Sequence, residues 1–257
     1  MVTSSNGAGT SKLKGAIFDW DGTLASIDDR EFYCINHALS EHGARPISRD
    51  FYIKNYYQRA YEVGTGPRMV LEAALEGKNP ANSEKAFESY RKAFQATAEK
   101  ATLQPGALSI LKGMKEARMI IGIATMRYTK WVVASELKHL MVSPLVDILK
   151  TRQDLGFRGA LSSLEETVNQ RARLVTKALT ELGLGPNDVF LTGDSWWDVR
   201  AGKQLGIKTV LVKTGFASHN DFTRENPDVT VESLQQLKET LVEAHWTLPT
   251  HSMETKL

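Results

Sequence analysis

The stretch at residues 15–24, GAIFDWDGTL, constrains this chain more than any other. Ala16, Ile17 and Phe18 form an apolar run suited to a buried strand, and Asp19, Trp20 and Asp21 follow at its end. Side chains alternate across a strand, so an extended backbone here sends Asp19 and Asp21 to one side and Trp20 to the other. Gly22 permits a sharp turn, and Thr23 can hydrogen-bond the local backbone. An ordinary strand with an acidic Asp-Gly turn is the simple reading. Two carboxylates at one sheet edge repel each other, however, and a cation or a shared proton relieves that repulsion.

A length of 257 residues suits one large domain or a domain with a smaller insertion, and 42% hydrophobic residues can bury a sizeable core. With 32 basic and 30 acidic residues the formal charge is +2, and no dense basic run occurs, so no nucleic-acid partner is expected. No apolar stretch reaches the roughly 18 residues that span a bilayer, so no membrane partner is expected either. Cys34, the single cysteine, reads as a core filler; its isolation fits a reducing compartment, and the expected location is cytoplasmic. Residues 1–11 read as a disordered leader and 247–257 as a loose tail. The terminal Thr255-Lys256-Leu257 lies one conservative change from the Ser-Lys-Leu peroxisomal address, for which chance similarity is the better explanation.

From residue 28 to 102, strand-type runs give way to Ala, Glu, Lys, Arg, Tyr and Phe at helical spacing. The pattern predicts helices at 30–42, 49–61, 67–75 and 83–100, with Ser83 as N-cap of the last and a break at 64–67. Strand signals recur at 119–125, 146–149, 188–192 and 208–212, between helices near 106–117, 129–139, 164–182 and 197–205. Alternating strands and helices argue for an α/β fold whose parallel sheet is covered on both faces. The expected organisation is a core from 12–27 and 103–246, with a helical insertion at 28–102.

Ligands of such sheets bind outside the carboxyl ends of the strands. Three ends stand out: Asp19 with Asp21, Thr125, and Asp194 in LTGDSWWD. Asp194 alone reads as a helix N-cap. Asp198, four residues on, makes it a pair, and the two share one face if a helix begins by Ser195. Converging carboxylates call for a hard divalent cation, and Mg2+ is usual where a phosphate supplies further oxygens. Mg2+ with an aspartate able to attack phosphorus makes a phosphoryl-transfer site.

FDWDGTL resembles the first motif of the haloacid dehalogenase superfamily, apolar residues followed by DxDGT. IGIAT at 121–125 is similar to the second, in which Thr or Ser ends a strand, and Gly193-Asp194 with Asp198 is similar to the fourth. The motifs occur in the family's order, the resemblance spans about residues 12–243, and the insertion stands at the family's cap position. The resemblance implies a Rossmann-like core with an inserted helical cap. It further implies a Mg2+-dependent phosphatase of the phosphoglycolate-phosphatase-like branch, acting on a small phosphorylated metabolite. By that resemblance Asp19 is the nucleophile that becomes an aspartyl-phosphate, and Asp21 protonates the leaving oxygen and then activates water. Thr125 would hydrogen-bond the phosphoryl group. Asp19, the backbone carbonyl of Asp21, and Asp194 would hold Mg2+, with Asp198 nearby.

Two departures stand out. Met126 follows Thr125 where the family often has Asn, and the third-motif Lys is missing. Counting back from Leu182-Gly183 puts that Lys at Asn169, and counting forward from residues 151–154 lands near Arg158 and Gly159. Arg171 is the first choice to replace it, Arg158 the second, and Arg173 a further candidate, since Arg clamps phosphate well and reaches further than Lys. Each also reads as a solvated charge. The missing Lys keeps a weakly active or non-catalytic binding protein as an alternative, and a phosphomutase would show the same motifs. In the insertion, Arg59, Tyr61 and Arg68 could face the substrate. Of Trp196 and Trp197, one is expected in the core and the other at the substrate entrance.

Overall fold

The computed structural model describes residues 13–62, 66–75, 80–156, 161–244 and 246. Among them the strands are β1 (Gly15–Phe18), β2 (Ala25–Ser26), β3 (Thr102–Leu103), β4 (Ile120–Thr125), β5 (Ile148–Thr151), β6 (Val189–Gly193), β7 (Lys208–Val212) and β8 (Val229–Val231). The α-helices are α1 (Asp28–Glu41), α2 (Arg49–Tyr56), α3 (Pro67–Ala74), α4 (Pro80–Ala96), α5 (Ala107–Glu116), α6 (Lys130–His139), α7 (Leu164–Leu182), α8 (Trp196–Gln204) and α9 (Leu237–Glu243). None of the described helices is long and apolar enough to cross a membrane.

β1 is buried at every residue, as a central strand covered on both faces must be. It pairs in parallel with β4 and β6, setting Ile17 opposite Gly122 on one side and Leu191 on the other. The full order is β5-β4-β1-β6-β7-β8. The chain runs outward from β1 in one direction and then in the other, so the carboxyl ends of β1, β4 and β6 flank the crevice where such sheets bind ligands. Ala16 and Phe18 pack with Ile121, Phe190 and Leu111 on one face. Ile17 packs with Leu174, Val175 and Ala178 of α7 on the other. α7 is fixed at both ends: Ser163 accepts from the Glu166 N–H, and Gly183 takes the left-handed conformation at φ 65°.

Helices α1 to α4 lie between β2 and β3. These two short strands pair antiparallel, Ala25 opposite Leu103 and Ser26 opposite Thr102, so the helical segment leaves and rejoins the core at one point. It has its own apolar cluster, with Cys34, Ile35, Leu39, Tyr52, Val70, Leu71 and Tyr90 all buried.

Several elements differ from the sequence expectation. The helix expected at 49–61 ends at Tyr56; the Tyr57 and Gln58 N–H groups both reach the Ile53 carbonyl, and the chain turns to offer the Ala60 carbonyl to the Trp196 indole at 2.7 Å. α4 starts at Pro80, a residue suited to the first turn, so Ser83 is a buried helical residue and not a cap. The strand expected at 146–149 lies at Ile148–Thr151, because Val146 follows a 3-10 turn and Asp147 is engaged with the Ile121 backbone. Trp246, the last residue of the expected core, is buried and packs on Phe190 with ring centroids 5.8 Å apart. The expected leader and tail, and the Gly64-Thr65 part of the break, lie outside the described residues.

One buried carboxylate ties core and insertion together. Glu136 on α6 accepts from the Trp20 indole at 2.7 Å, from Arg30 of α1 at 2.6 Å, and from Arg127. Trp20 stands between Asp19 and Asp21, so this node fixes the backbone that aims both. Glu136→Ala leaves two guanidinium groups without their shared partner and is expected to cost about 3–5 kcal/mol, the usual penalty for breaking a buried ion pair. Denaturant unfolding that matches the wild type would contradict this role.

Candidate active site

The Asp19 N–H donates to the Thr192 carbonyl at 2.9 Å, so pairing of β1 with β6 continues past Phe18 and fixes Asp19 at the sheet edge. Thr125 ends β4, fully buried, its hydroxyl accepting from the Arg127 N–H at 3.2 Å. Asp194 directly follows β6. The structure brings Asp19, Asp194 and Asp198 together: one carboxylate oxygen from each lies within 4.8 Å of the others, and all three residues are buried.

Asp194 is held from two sides, accepting from the Thr23 hydroxyl at 3.0 Å and from the Phe216 N–H at 2.7 Å. Gly22 beside it sits at φ +78°, and a Cβ there would fall 2.4 Å from Asp194 Oδ2. Conformation and space both require glycine at that turn. Helix α8 begins at Trp196 with Ser195 as its cap, so Asp194 precedes the helix and does not share a helical face with Asp198, contrary to expectation. Asp198 instead closes a capping box, accepting from the Ser195 N–H at 3.2 Å with one oxygen. Its other oxygen lies 2.6 Å from Arg171 Nε.

Arg171 rises from α7 and is completely buried. Its Nη1 lies 3.5 Å from Asp19 Oδ1 and donates to the Ala124 carbonyl, next to Thr125. Among the other cations weighed for this place, Arg173 is exposed, and Arg158 lies outside the described residues. Asn169, the counted position of the missing Lys, meets Gln204 at the surface.

Three buried carboxylates thus face one buried guanidinium. Burial pushes Asp19 up to about 8 against the pull of Arg171, and Asp198 and Asp21 add to the rise. Burial, then Asp19 and Asp198, hold Asp194 well above the carboxylate range. Burial works against the charge on Arg171, yet Asp198 and Asp19 keep it above its ordinary value. Asp19 Oδ1 is buried without a hydrogen-bond partner. An all-carboxylate donor set with a spare buried oxygen suits a hard divalent cation such as Mg2+.

The Asp21 carboxylate turns elsewhere. Arg127 grips it through Nε, at 3.0 Å from Oδ2, and through Nη2 on Oδ1, a bidentate fork. Burial still raises Asp21 above its usual value, against Arg127. Sequence reasoning missed Arg127, although its place two residues past Thr125 puts it at the same sheet edge. It also missed Glu31 on α1, which accepts from the Tyr90 hydroxyl at 2.6 Å and whose carboxyl burial raises to about 7.

Asp19, Asp21, Thr125 and Asp194 line a cleft of about 970 Å3, together with Arg127 and Glu31. Of the insertion residues singled out, Arg68 lines this cleft. Tyr61 instead stacks on Trp196 and donates to Glu225, and Arg59 pairs with Glu62. Trp196 is buried, while Trp197 borders the cleft.

The chain matches the family profile described as Haloacid dehalogenase-like hydrolase over residues 16–212. It is 25% identical to YhcW of Bacillus subtilis (strain 168) over 91% of this chain and 97% of that protein. It is 22% identical to phosphoglycolate phosphatase 1 of Pseudomonas aeruginosa, over 86% of this chain and 77% of that one. Its fold is similar to that of a predicted phosphoglycolate phosphatase from Haemophilus somnus 129pt, with a TM-score of 0.73, 16% identity, and 90% and 99% of the two chains covered. CbbY of Rhodobacter sphaeroides, solved with phosphate, has a TM-score of 0.66 at 18% identity, covering 88% of this chain and 96% of that one. With more than half of its length matched by that profile and its strand-end aspartates inside the matched span, this chain belongs to the haloacid dehalogenase-like hydrolase family.

Proposed function

We propose that this chain is a Mg2+-dependent phosphatase that hydrolyses a small phosphorylated metabolite through an aspartyl-phosphate on Asp19. The observation that carries this reading is Asp19 itself: a strand-end carboxylate facing the cleft, with one buried oxygen unpartnered and 3.5 Å from the buried Arg171. The phosphatase names of relatives such as the Pseudomonas aeruginosa protein support it.

In the first half-reaction an Asp19 oxygen forms a bond to phosphorus as the bond to the leaving oxygen breaks, and Asp21 gives that oxygen a proton. In the second, Asp21 takes a proton from a water that attacks the same phosphorus, which releases phosphate and restores the Asp19 carboxylate. The Thr125 hydroxyl donates to a phosphoryl oxygen. Arg171 offsets the charge of Asp19 and Asp198 as the anionic phosphate approaches, taking the part of the missing Lys. Asp21 has to leave the Arg127 fork to reach the leaving oxygen. Asp19, the Asp21 carbonyl and Asp194 would hold Mg2+, with Asp198 behind them; the ion would offset the negative charge on the phosphoryl oxygens. Helices α1 to α4 serve as a cap that closes over the strand ends and keeps bulk water out.

Asp19→Asn is expected to abolish phosphate release from acetyl phosphate while circular dichroism stays native; substantial turnover in the folded variant would refute the nucleophile. Arg171→Ala should lower kcat/KM by about 100-fold or more, with Arg171→Lys recovering part of it, whereas full activity in Arg171→Ala would leave the charge of Asp19 without its proposed partner. Asp194→Ala should weaken Mg2+ binding at least about tenfold by titration calorimetry, since a hard cation held by few carboxylates depends on each. Unchanged affinity would leave Asp194 as no more than an anchor for Thr23 and Phe216.

A further inference from the structure

The chemistry of the strand ends says nothing about what the phosphate is attached to; the rest of the cleft does. At about 970 Å3 it is at the upper end of the range for drug-sized ligands, far more room than a two-carbon acid needs. Aromatic rings from both the core and the insertion line it. Tyr128 and Trp131 come from the start of α6 and the loop before it, and Trp131 is 56% exposed, its ring without a described aromatic partner. Phe87 and Phe94 come from α4 of the insertion, both against the Tyr90 ring; Arg68 lies 4.2 Å over Phe87, and Phe94 has Arg30 at 3.8 Å and Arg127 at 4.9 Å.

The polar side of the insertion wall bears on the leaving group too. Glu31 is the one acidic residue that α1 to α4 contribute to the cleft among the described residues. A carboxylate there disfavours an acidic leaving group. It accepts from Tyr90 at 2.6 Å, more loosely from Tyr52 at 3.5 Å, and from Tyr56, and of the roughly four lone-pair sites of a carboxylate one is left for a further donor. Arg68 and Arg91, which also line the cleft, are paired with Glu84 and Glu88, so the wall offers little net positive charge to an anion.

We propose that the substrate is a phosphate monoester whose leaving group is a flat aromatic or heteroaromatic ring with a hydrogen-bond donor. The ring occupies the cleft between Trp131 and Tyr128 on one wall and Phe87 and Phe94 on the other, with its donor on Glu31. This rests on the phosphatase reading above. Rings stack on aromatic faces whatever their substituents, which gives a preference for the class without demanding one compound. The chemistry is unchanged: the phosphorus–oxygen bond breaks, and the ring-bearing alcohol leaves with the proton from Asp21.

The test compares primary phosphate esters, in which the leaving oxygen sits on a CH2 carbon in every case. Benzyl phosphate, pyridoxal 5′-phosphate and flavin mononucleotide form one arm, ethyl phosphate and 2-phosphoglycolate the other, and acetyl phosphate reports phosphatase activity as such. The best ring ester should exceed both small esters in kcat/KM by about tenfold or more. Trp131→Ala, at an exposed position where the fold does not depend on the ring, should cut the ratio of ring ester to acetyl phosphate by about fivefold or more, and Phe87→Ala should do likewise. Small esters equal to or better than every ring ester, with acetyl phosphate hydrolysed, overturn the ring proposal and leave the phosphatase reading standing. A ratio unchanged in both variants also overturns it. No release from any compound, acetyl phosphate included, overturns both readings.

Discussion

The buried ion pair of Arg171 with Asp198, and Asp19 just beyond it, is the interaction on which the site depends. Carboxylates are rarely taken out of water without a partner, and three of them sit here within 4.8 Å of one another. A single guanidinium makes that arrangement tolerable, because its fork reaches Asp198, Asp19 and the Ala124 carbonyl at once. A Lys ammonium is a point charge on a flexible stem and cannot span the three in one geometry. Burial first, and the neighbouring carboxylates after it, raise Asp19 and Asp194, and a divalent cation would offset that concentration of negative charge.

The fold delivers those groups from separate places, each by a local cause. β1 carries Asp19 to the edge through its pairing with β6, α7 brings Arg171 in from the covering layer, and the glycine turn at Gly22 lets Asp194 come close. Asp21 is held apart from them by Arg127, and Arg127 shares Glu136 with Arg30 of the insertion. The proposed acid and the helices that would cover the cleft are therefore coupled through one buried carboxylate.

Much of this is legible in the sequence where it is local. Asp19, Asp21, Thr125 and Asp194 all stand at strand ends that apolar runs announce, and the alternation of strands with helices fixes the parallel sheet. Arg171 is legible only as one of several charges. Counting pointed to Asn169, yet two residues along a helix turn the side chain by about 200°, from the surface to the core. Arg127 is marked only by its place two residues past Thr125, and Glu136 and Glu31 carry no signal of their own, since Asp21, which Arg127 grips, and Trp20, which donates to Glu136, lie 106 and 116 residues away from them in the chain. β2, β3 and β8, at two or three residues each, are too short for any periodicity to declare.

The central claim is that Asp19 carries the phosphoryl group. Rapid quenching of a single turnover of acetyl phosphate, followed by peptide mass spectrometry, tests it most directly, with Asp21→Asn run alongside to slow the second half-reaction. One phosphoryl group on the peptide containing Asp19, formed before free phosphate and longer-lived in Asp21→Asn, is the predicted result. Phosphate release with no labelled protein at any time, or a label on a residue other than Asp19, would contradict it.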